Sequence, residues 1–357
     1  MAAATKRDNL LSLIRRKGYD ETPFDFGLCP ILENTYRERT GSGLACADYF
    51  GFSTRDLPPV AAEDGDLARF YPYHGPLGPD THLDEWGVGH RSTPTSMHMT
   101  QMLCPLKDAD SAEQIAAYPM PSYRAEGNEG IAEAARAVHA RGLAAVGNMQ
   151  CTIWEASWYM RGMENLMMDM MSDSPMAGLL LGRVEERSVA KAEIYARAGA
   201  DILYLGDDIG MQRSIMMGLE MYREWLKPAL ARVIAAARRA KPDIIVFYHS
   251  CGYVEPFIPD LIEAGIDVLN PVQPECMDFE KIHGLYGDVL SFHGAVGTQT
   301  TMPFGSEGDV RDAVRRYLRI AGSKGGLYIA PTHILEPEVP WENIMAFVAA
   351  CREHSGA

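Results

Sequence analysis

The chain has 357 residues, 47% apolar and 23% charged, the proportions of a folded globular protein and not of a disordered or fibrous one. Its 33 Lys and Arg against 48 Asp and Glu leave a net charge of −15, a field that repels polyanions and argues against a nucleic-acid groove. No segment reaches the run of about 20 apolar residues a membrane helix needs, and Met1 to Leu10 lacks a signal peptide's apolar core, so a cytoplasmic protein without membrane or nucleic-acid partners is expected.

The length suits one large α/β domain over residues 1–357. Residues 1–20 read as an N-terminal helix and Phe24 to Leu28 as a strand. Residues 70–125, which open on a stretch rich in Gly, Pro, His and aromatics, read as an irregular excursion over one mouth of the fold. From residue 144 onward, short β-rich apolar runs alternate with segments of helical period, the signature of βα units and a parallel sheet. The strands predicted are Ala144 to Asn148, Ile202 to Gly206, Ile244 to His249, Val268 to Val272, Leu290 to Gly294 and Leu327 to Ala330. Helices are predicted over Pro175 to Arg197, Glu220 to Ala240, Val254 to Ala264, Asp309 to Ala321 and Trp341 to Cys351. Eight strands would close a (β/α)8 TIM barrel; seven are evident, so closure is inferred. A doubly wound open sheet is the rival, but no Gly-x-Gly-x-x-Gly follows the early strands and no Walker-type loop is present.

Seven cysteines, odd in number and thinly spread, favour reduced thiols over a disulfide framework. The Met cluster from Met160 to Met176 reads as adaptable core packing or a helix interface. The sharpest local feature is Tyr248-His249-Ser250-Cys251-Gly252 at the end of the run Ile244 to Phe247. Side chains two apart on an extended chain share a side, so His249 and Cys251 can chelate one ion from a strand end. Cys276 and His333 follow later strands, and strand carboxyl ends share one face of a parallel barrel. Thiolate and imidazole donors suit Zn2+, with three protein ligands and an open fourth position in a catalytic site, so one of these four falls outside the ligand set. Cys276 is the weaker candidate, lying further from its strand with a proline between.

Other strand ends carry candidate pocket residues: His293, Gln299, the adjacent acids Asp207 and Asp208, Gln212, Glu155 and Arg161. Neighbours on an extended chain face opposite ways, so at most one of Asp207 and Asp208 reaches the pocket directly, to accept a proton, orient a ligand imidazole or hold a polar substrate group; the rival reading of the pair is a helix N-cap and a solvated acid. His74, His82, His90 and His98 show no metal-ligand spacing, and Glu336 and Glu338 read as capping groups for the helix near Trp341.

The chain resembles the uroporphyrinogen decarboxylase superfamily, and within it the zinc methyltransferase branch that includes the methylcobamide:coenzyme M methyltransferases. The residues that carry the resemblance are Trp158-Tyr159-Met160-Arg161-Gly162-Met163-Glu164, Gly206-Asp207-Asp208-Ile209-Gly210, His249-Ser250-Cys251-Gly252 and Ala330-Pro331-Thr332-His333-Ile334-Leu335. It implies a (β/α)8 barrel with the active site at the strand carboxyl ends, and zinc held by a His-x-Cys pair, here His249 and Cys251, and a later Cys. No Cys stands near Pro331 to His333, so His333 is the natural replacement and Cys276 its competitor, and coenzyme M as acceptor is thereby in doubt. The Arg-rich motif of the family's decarboxylases matches none of Arg15, Arg16, Arg37, Arg39 or Arg55.

The expected activity is zinc-dependent methyl transfer between a small-molecule thiol-, ether- or hydroxyl-type heteroatom and a corrinoid protein, whose cobalamin comes with the partner because no Asp-x-His-x-x-Gly loop is present. Trp86 and Trp158 are candidates for the docking rim, and a homodimer is a further option for assembly. The rivals are a metal-free decarboxylase or lyase using Asp207 or Asp208, and a binding protein that keeps the metal but moves no methyl group.

Overall fold

In the computed structural model, which describes residues 4–91 and 101–354, the apolar runs after residue 144 become neighbouring strands of one sheet. In chain order the strands are β1 (Thr54–Asp56), β2 (Thr81–Leu83), β3 (Gly89–Arg91), β4 (Gln101–Leu103), β5 (Ala144–Gln150), β6 (Ile202–Gly206), β7 (Ile245–His249), β8 (Val268–Asn270), β9 (Ser291–Val296) and β10 (Leu327–Pro331). Seven of them form a curled sheet in the order β1-β5-β6-β7-β8-β9-β10, every pair parallel. Helices cross over between consecutive strands, as parallel pairing requires. The longest, Pro175–Ala198, shows how sharply the sequence marks its ends: Ser174 caps the Met176 N–H, Pro175 opens the first turn, and Gly199 closes the last in the left-handed region.

The excursion differs from expectation in having order of its own. Strands β2, β3 and β4 make a small antiparallel sheet within it. Its histidines are held by that structure: His74 bonds the Gly87 carbonyl, His90 pairs with Asp84, and the rings of His82 and His90 stack. His98 lies outside the described residues.

The segment Phe24 to Leu28 runs beside β10 but bridges it only at Ile329 and, beyond it, at Leu335. Phe24, Phe26 and Leu28 are buried, the phenylalanines against Phe52 and Phe347, while Asp25 lines the interior of the curl. The alternation is that of a strand, but among the described residues its pairing stops at these bridges. The seventh sheet strand is instead β1, whose Thr-Arg-Asp carries no apolar period.

Alternation along each strand grades the interior of the curl. On β5, β6 and β7 the inward positions run from apolar to polar toward the carboxyl end: Val146, Asn148, Gln150; Ile202, Tyr204, Gly206; Ile245, Phe247, His249. The amino end is closed by the helix Lys6–Ile14, whose Leu10, Leu11, Leu13 and Ile14 pack on Val146, Ile202, Ile245 and Val268. Arg7 of this helix reaches the buried Asp201 at 2.6 Å, and His139 reaches the same carboxylate at 2.9 Å. No described helix is long and apolar enough to cross a membrane.

Of the Met-rich segment, Met163–Met171 is helical, with Leu166 and Met170 in the core and Met168 and Met171 exposed. All seven cysteines are free thiols. The helix Trp341–Glu353 starts after Pro340, and Glu336 lines the mouth cavity.

Candidate metal centre and the cavity beneath it

The register of the sheet sets Gln150, Gly206, His249 and Asn270 in one row across β5 to β8. Gly206 makes the row possible, since a Cβ there would lie 2.6 Å from the His249 Cβ. The two loops that follow pack backbone against backbone: a Cβ on Gly210 would meet the Cys251 carbonyl at 2.6 Å. Ser250 Oγ accepts from the Ile209 N–H and locks them together.

His249 Nε2 lies 3.5 Å from Cys251 Sγ and 3.6 Å from Asp208 Oδ1, and the three donor atoms all fall within 4.8 Å of one another. Bonds of about 2.0–2.3 Å around a tetrahedral ion would set neighbouring donors roughly 3.3–3.7 Å apart, a range that holds both distances from His249 Nε2, while the Cys251–Asp208 pair lies within 4.8 Å. The tautomer is fixed from behind. Asn270 Nδ2 faces the His293 carbonyl at 3.0 Å, a group that only accepts, so Asn270 turns Oδ1 toward His249 Nδ1 at 2.5 Å. Nδ1 therefore carries the proton and Nε2 offers its lone pair to the triangle. The same logic runs on: Asn270 Nδ2 donates to His293 Nδ1 (3.0 Å), and His293 Nε2–H donates to Asp25 (2.8 Å). Tyr204 donates a second bond to Asn270 Oδ1.

Asp207 and Asp208 divide as neighbours on an extended chain should. Asp207 is buried and accepts the N–H groups of Ile153 and Glu155, so it caps the helix Trp154–Arg161 from another element. Burial and then Glu155 push its carboxyl pKa up, against the pull of those N–H groups. Asp208 faces the triangle and accepts from the Cys251 N–H at 2.7 Å. Glu155 approaches from the far side, accepting from Tyr159 Oη and the Asp208 N–H, and its carboxyl is pushed up to about 7 by burial and by Asp208. Burial first, then Asp208, Glu155 and Cys276, push the Cys251 thiol up, so a cation is what would turn it into a thiolate. Cys151, in the left-handed region beside Glu155 and Tyr159, is raised for the same reasons, burial and Glu155.

The remaining predicted residues are distributed around this centre. His333 is exposed on the rim and lines the same mouth cavity as Cys251. Cys276 sits one layer back, 3.9 Å from Gln273 Oε1, which accepts from the Gly252 N–H. Gln212 and Gln299 exchange two amide hydrogen bonds of 2.9 and 3.1 Å across the mouth. His293 lies in the inner cavity. Arg161 is elsewhere: its guanidinium is enclosed by Asp169 and the carbonyls of Leu106, Lys107 and Ala109, which makes it a tie between helix and loop. Trp158 packs edge-on to Tyr159, and Trp86 on Tyr123. The sequence reading missed Asn270, Asp25 and Tyr204; the available signal was a polar residue facing inward on a strand otherwise apolar on that side.

Beneath the triangle a cavity of about 760 Å3 runs into the curl, bounded by His249, Asn270, His293, Tyr204, Asp25 and Asp56.

A parallel sheet with a donor triangle at its carboxyl edge and a polar well below is the frame of an enzyme site. The chain belongs to the uroporphyrinogen decarboxylase (URO-D) family, whose profile matches residues 103–354. Among curated proteins it is similar to the methylcobamide:CoM methyltransferase MtaA of Methanosarcina barkeri, 25% identical over 169 residues, and to that of M. barkeri strain Fusaro, 24% identical over 169 residues. Each alignment covers 47% of this chain and 46% of the relative, so the chain spans about half the length of the curated relatives it matches. A solved methyltransferase from Methanosarcina mazei superposes with a TM-score of 0.70 at 17% identity, covering 98% of this chain and 99% of the other, a likeness of fold.

Proposed function

We propose that the protein is a zinc-dependent methyltransferase that moves a methyl group between a small-molecule heteroatom and a corrinoid protein docking at the mouth. The observation that carries this reading is the convergence of Asp208, His249 and Cys251, whose donor atoms lie within 4.8 Å of one another, in a chain similar to curated methylcobamide:CoM methyltransferases. The same reading closes the fold as a (β/α)8 barrel, with Phe24 to Leu28 in the eighth position.

A bound Zn2+ would supply Lewis acidity to a thiol- or ether-type heteroatom. The chain's own residues account for the rest. His249 Nε2, Cys251 Sγ and an Asp208 oxygen would hold the ion, with Asn270 fixing the imidazole tautomer. His333, which lines the mouth cavity with Cys251, would be available to an entering substrate or as a further ligand, and Cys276 lies behind Gln273. Glu155, beside Asp208, is the group that holds or releases a proton near neutral pH when a thiol substrate enters or a methylated product leaves. Asp207 is a structural cap in this scheme and Asp208 a ligand, so the catalytic roles first considered for that pair pass to the metal site and to Glu155.

Metal analysis tests this first. Protein purified without added zinc is expected to hold about one equivalent per chain, and His249→Ala and Cys251→Ser each to lose most of it with unchanged circular dichroism. Full zinc retention in both variants would remove these residues from the site. Following the cobalt absorption bands of added corrinoid proteins then reads methyl transfer itself.

A further inference from the structure

The inner cavity is acidic to a degree that the metal centre above it does not explain. Asp25 and Asp56 both line it, on a scale of about 760 Å3 that suits an organic molecule and far exceeds a single ion. The basic side chain among its described lining residues, Arg55, is already committed to Asp48 and to the carbonyls of Phe52 and Thr54. Of the histidines that line it, His249 and His293 belong to the chain of bonds that runs through Asn270 and ends on Asp25, and His333 stands exposed at its outer rim. Burial and then Asp25 push the Asp56 carboxyl up, as expected for two acids that share a cavity without a cation.

A second observation is independent of the acids. Tyr328 is 1% exposed, stacks on His293 with ring centroids 4.7 Å apart, and lines the same cavity. No protein group meets its hydroxyl at hydrogen-bonding geometry, although Asp25 and Thr54 are near enough to influence it. A buried hydroxyl left without a protein partner costs about 1–3 kcal/mol unless something in the cavity satisfies it. Two carboxyl groups and a free hydroxyl around one space present acceptors, and a group bearing several N–H donors and a positive charge matches them.

We propose that the inner cavity binds the ammonium end of the methyl donor or acceptor, so that the substrate is a small amine whose heteroatom reaches up to the His249 and Cys251 end. The inference rests on the methyltransferase reading for the identity of that upper end, but the cation subsite stands on Asp25, Asp56 and Tyr328 alone.

Three probes that share a methylthioethyl arm test it: 2-(methylthio)ethylamine, 2-(methylthio)ethanol and 2-(methylthio)ethanesulfonate. Calorimetric titration of the full chain is expected to show the amine binding at least about tenfold more tightly than the alcohol, with the sulfonate weakest. Asp56→Asn is expected to bring the amine to within about threefold of the alcohol, and Tyr328→Phe to weaken the amine severalfold, with zinc content unchanged in both. Equal binding of the three probes to the unaltered chain, or tighter binding of the sulfonate, would overturn the proposal without recourse to any variant. So would an amine preference that survives Asp56→Asn. Repeating the titrations on chelator-treated protein separates the two readings: an amine preference that persists there supports the subsite even if the metal assignment has failed, and a preference absent there and in the untreated chain refutes the subsite alone.

Discussion

Strand β6 is flanked by two aspartates that meet opposite fates. Asp201, at its amino end, is buried and answered in full: Arg7 at 2.6 Å, His139 at 2.9 Å and the Ala145 N–H at 3.0 Å. Asp208, beyond its carboxyl end, has no Lys or Arg partner among the described residues and faces an imidazole nitrogen at 3.6 Å and a raised thiol. The amino end is a finished structure, an apolar floor under a plugging helix with its buried aspartate neutralised. The carboxyl end is an unfinished one, with donors converging where no positive charge stands. An acid paired in full, like Asp201, belongs to the structure, whereas one without a Lys or Arg partner beside an imidazole and a thiol, like Asp208, fits the metal site proposed above.

Exchanging the roles of these acids is the strongest test of the contrast. Asp208→Ala is expected to weaken zinc binding by about 100-fold or more, read by competition with a chromogenic chelator, with little change in thermal stability. Asp201→Asn should do the reverse, costing about 2–3 kcal/mol in urea unfolding while zinc affinity stays unchanged. The acid dependence of Asp201 has a definite sign. Burial alone would raise its pKa, but Arg7, the Ala145 N–H and His139 together hold it below the ordinary value of 3.8. Its contribution is therefore present above about pH 4 and is lost as the pH falls through the lower folded value, so the acid limb of the stability curve flattens in Asp201→Asn. If both variants lost metal and stability alike, the two ends of the strand would not be separable in this way.

The next test removes the support behind the triangle and leaves its members in place. Asn270→Leu takes away the acceptor that fixes the His249 tautomer and the donor that orients His293. Zinc affinity is expected to fall about 10- to 100-fold. Asn270→Asp, which keeps an acceptor for Nδ1–H, should recover most of that loss, a rescue that a purely steric role would not give.

The same gradient explains what could be read from the sequence. The strands from β5 onward announced themselves because their floor positions are β-branched or aromatic and are bounded by turn residues, and His249 with Cys251 stood out because a spacing of two on an extended chain is a local property. What escaped was set by pairing across the sheet. Strand β1 is three residues, Thr-Arg-Asp, and becomes a strand by its register with Ala144 to Val146. Asn270 matters because it sits level with His249 on the next strand, a relation between residues 249 and 270 that no local window holds. Arg161 misled for the converse reason: its position after a strand suggested the pocket, and only the packing of the loop around Leu106 shows its guanidinium fully enclosed. The split between Asp207 and Asp208 followed from alternation, but which of the two faced the mouth depended on where the helix Trp154–Arg161 needed its cap.

The smallest expected effect lies at the outermost layer, where the carboxyl end meets solvent. Gln212 and Gln299 hold each other by two amide hydrogen bonds across the mouth, and each keeps one amide hydrogen and one acceptor lone pair for something else. Both are exposed, so their pairing contributes little to the fold, and Gln212→Ala or Gln299→Ala should change the unfolding free energy by less than about 0.5 kcal/mol. Zinc content should not move, because neither side chain touches the triangle. If the pair also lines the path of the substrate, either substitution raises KM about two- to fivefold at constant kcat, the mark of binding lost equally from ground and transition states. A fall in kcat instead would bring the pair into the reaction, and the outer edge would then belong with the metal centre and not with the rim.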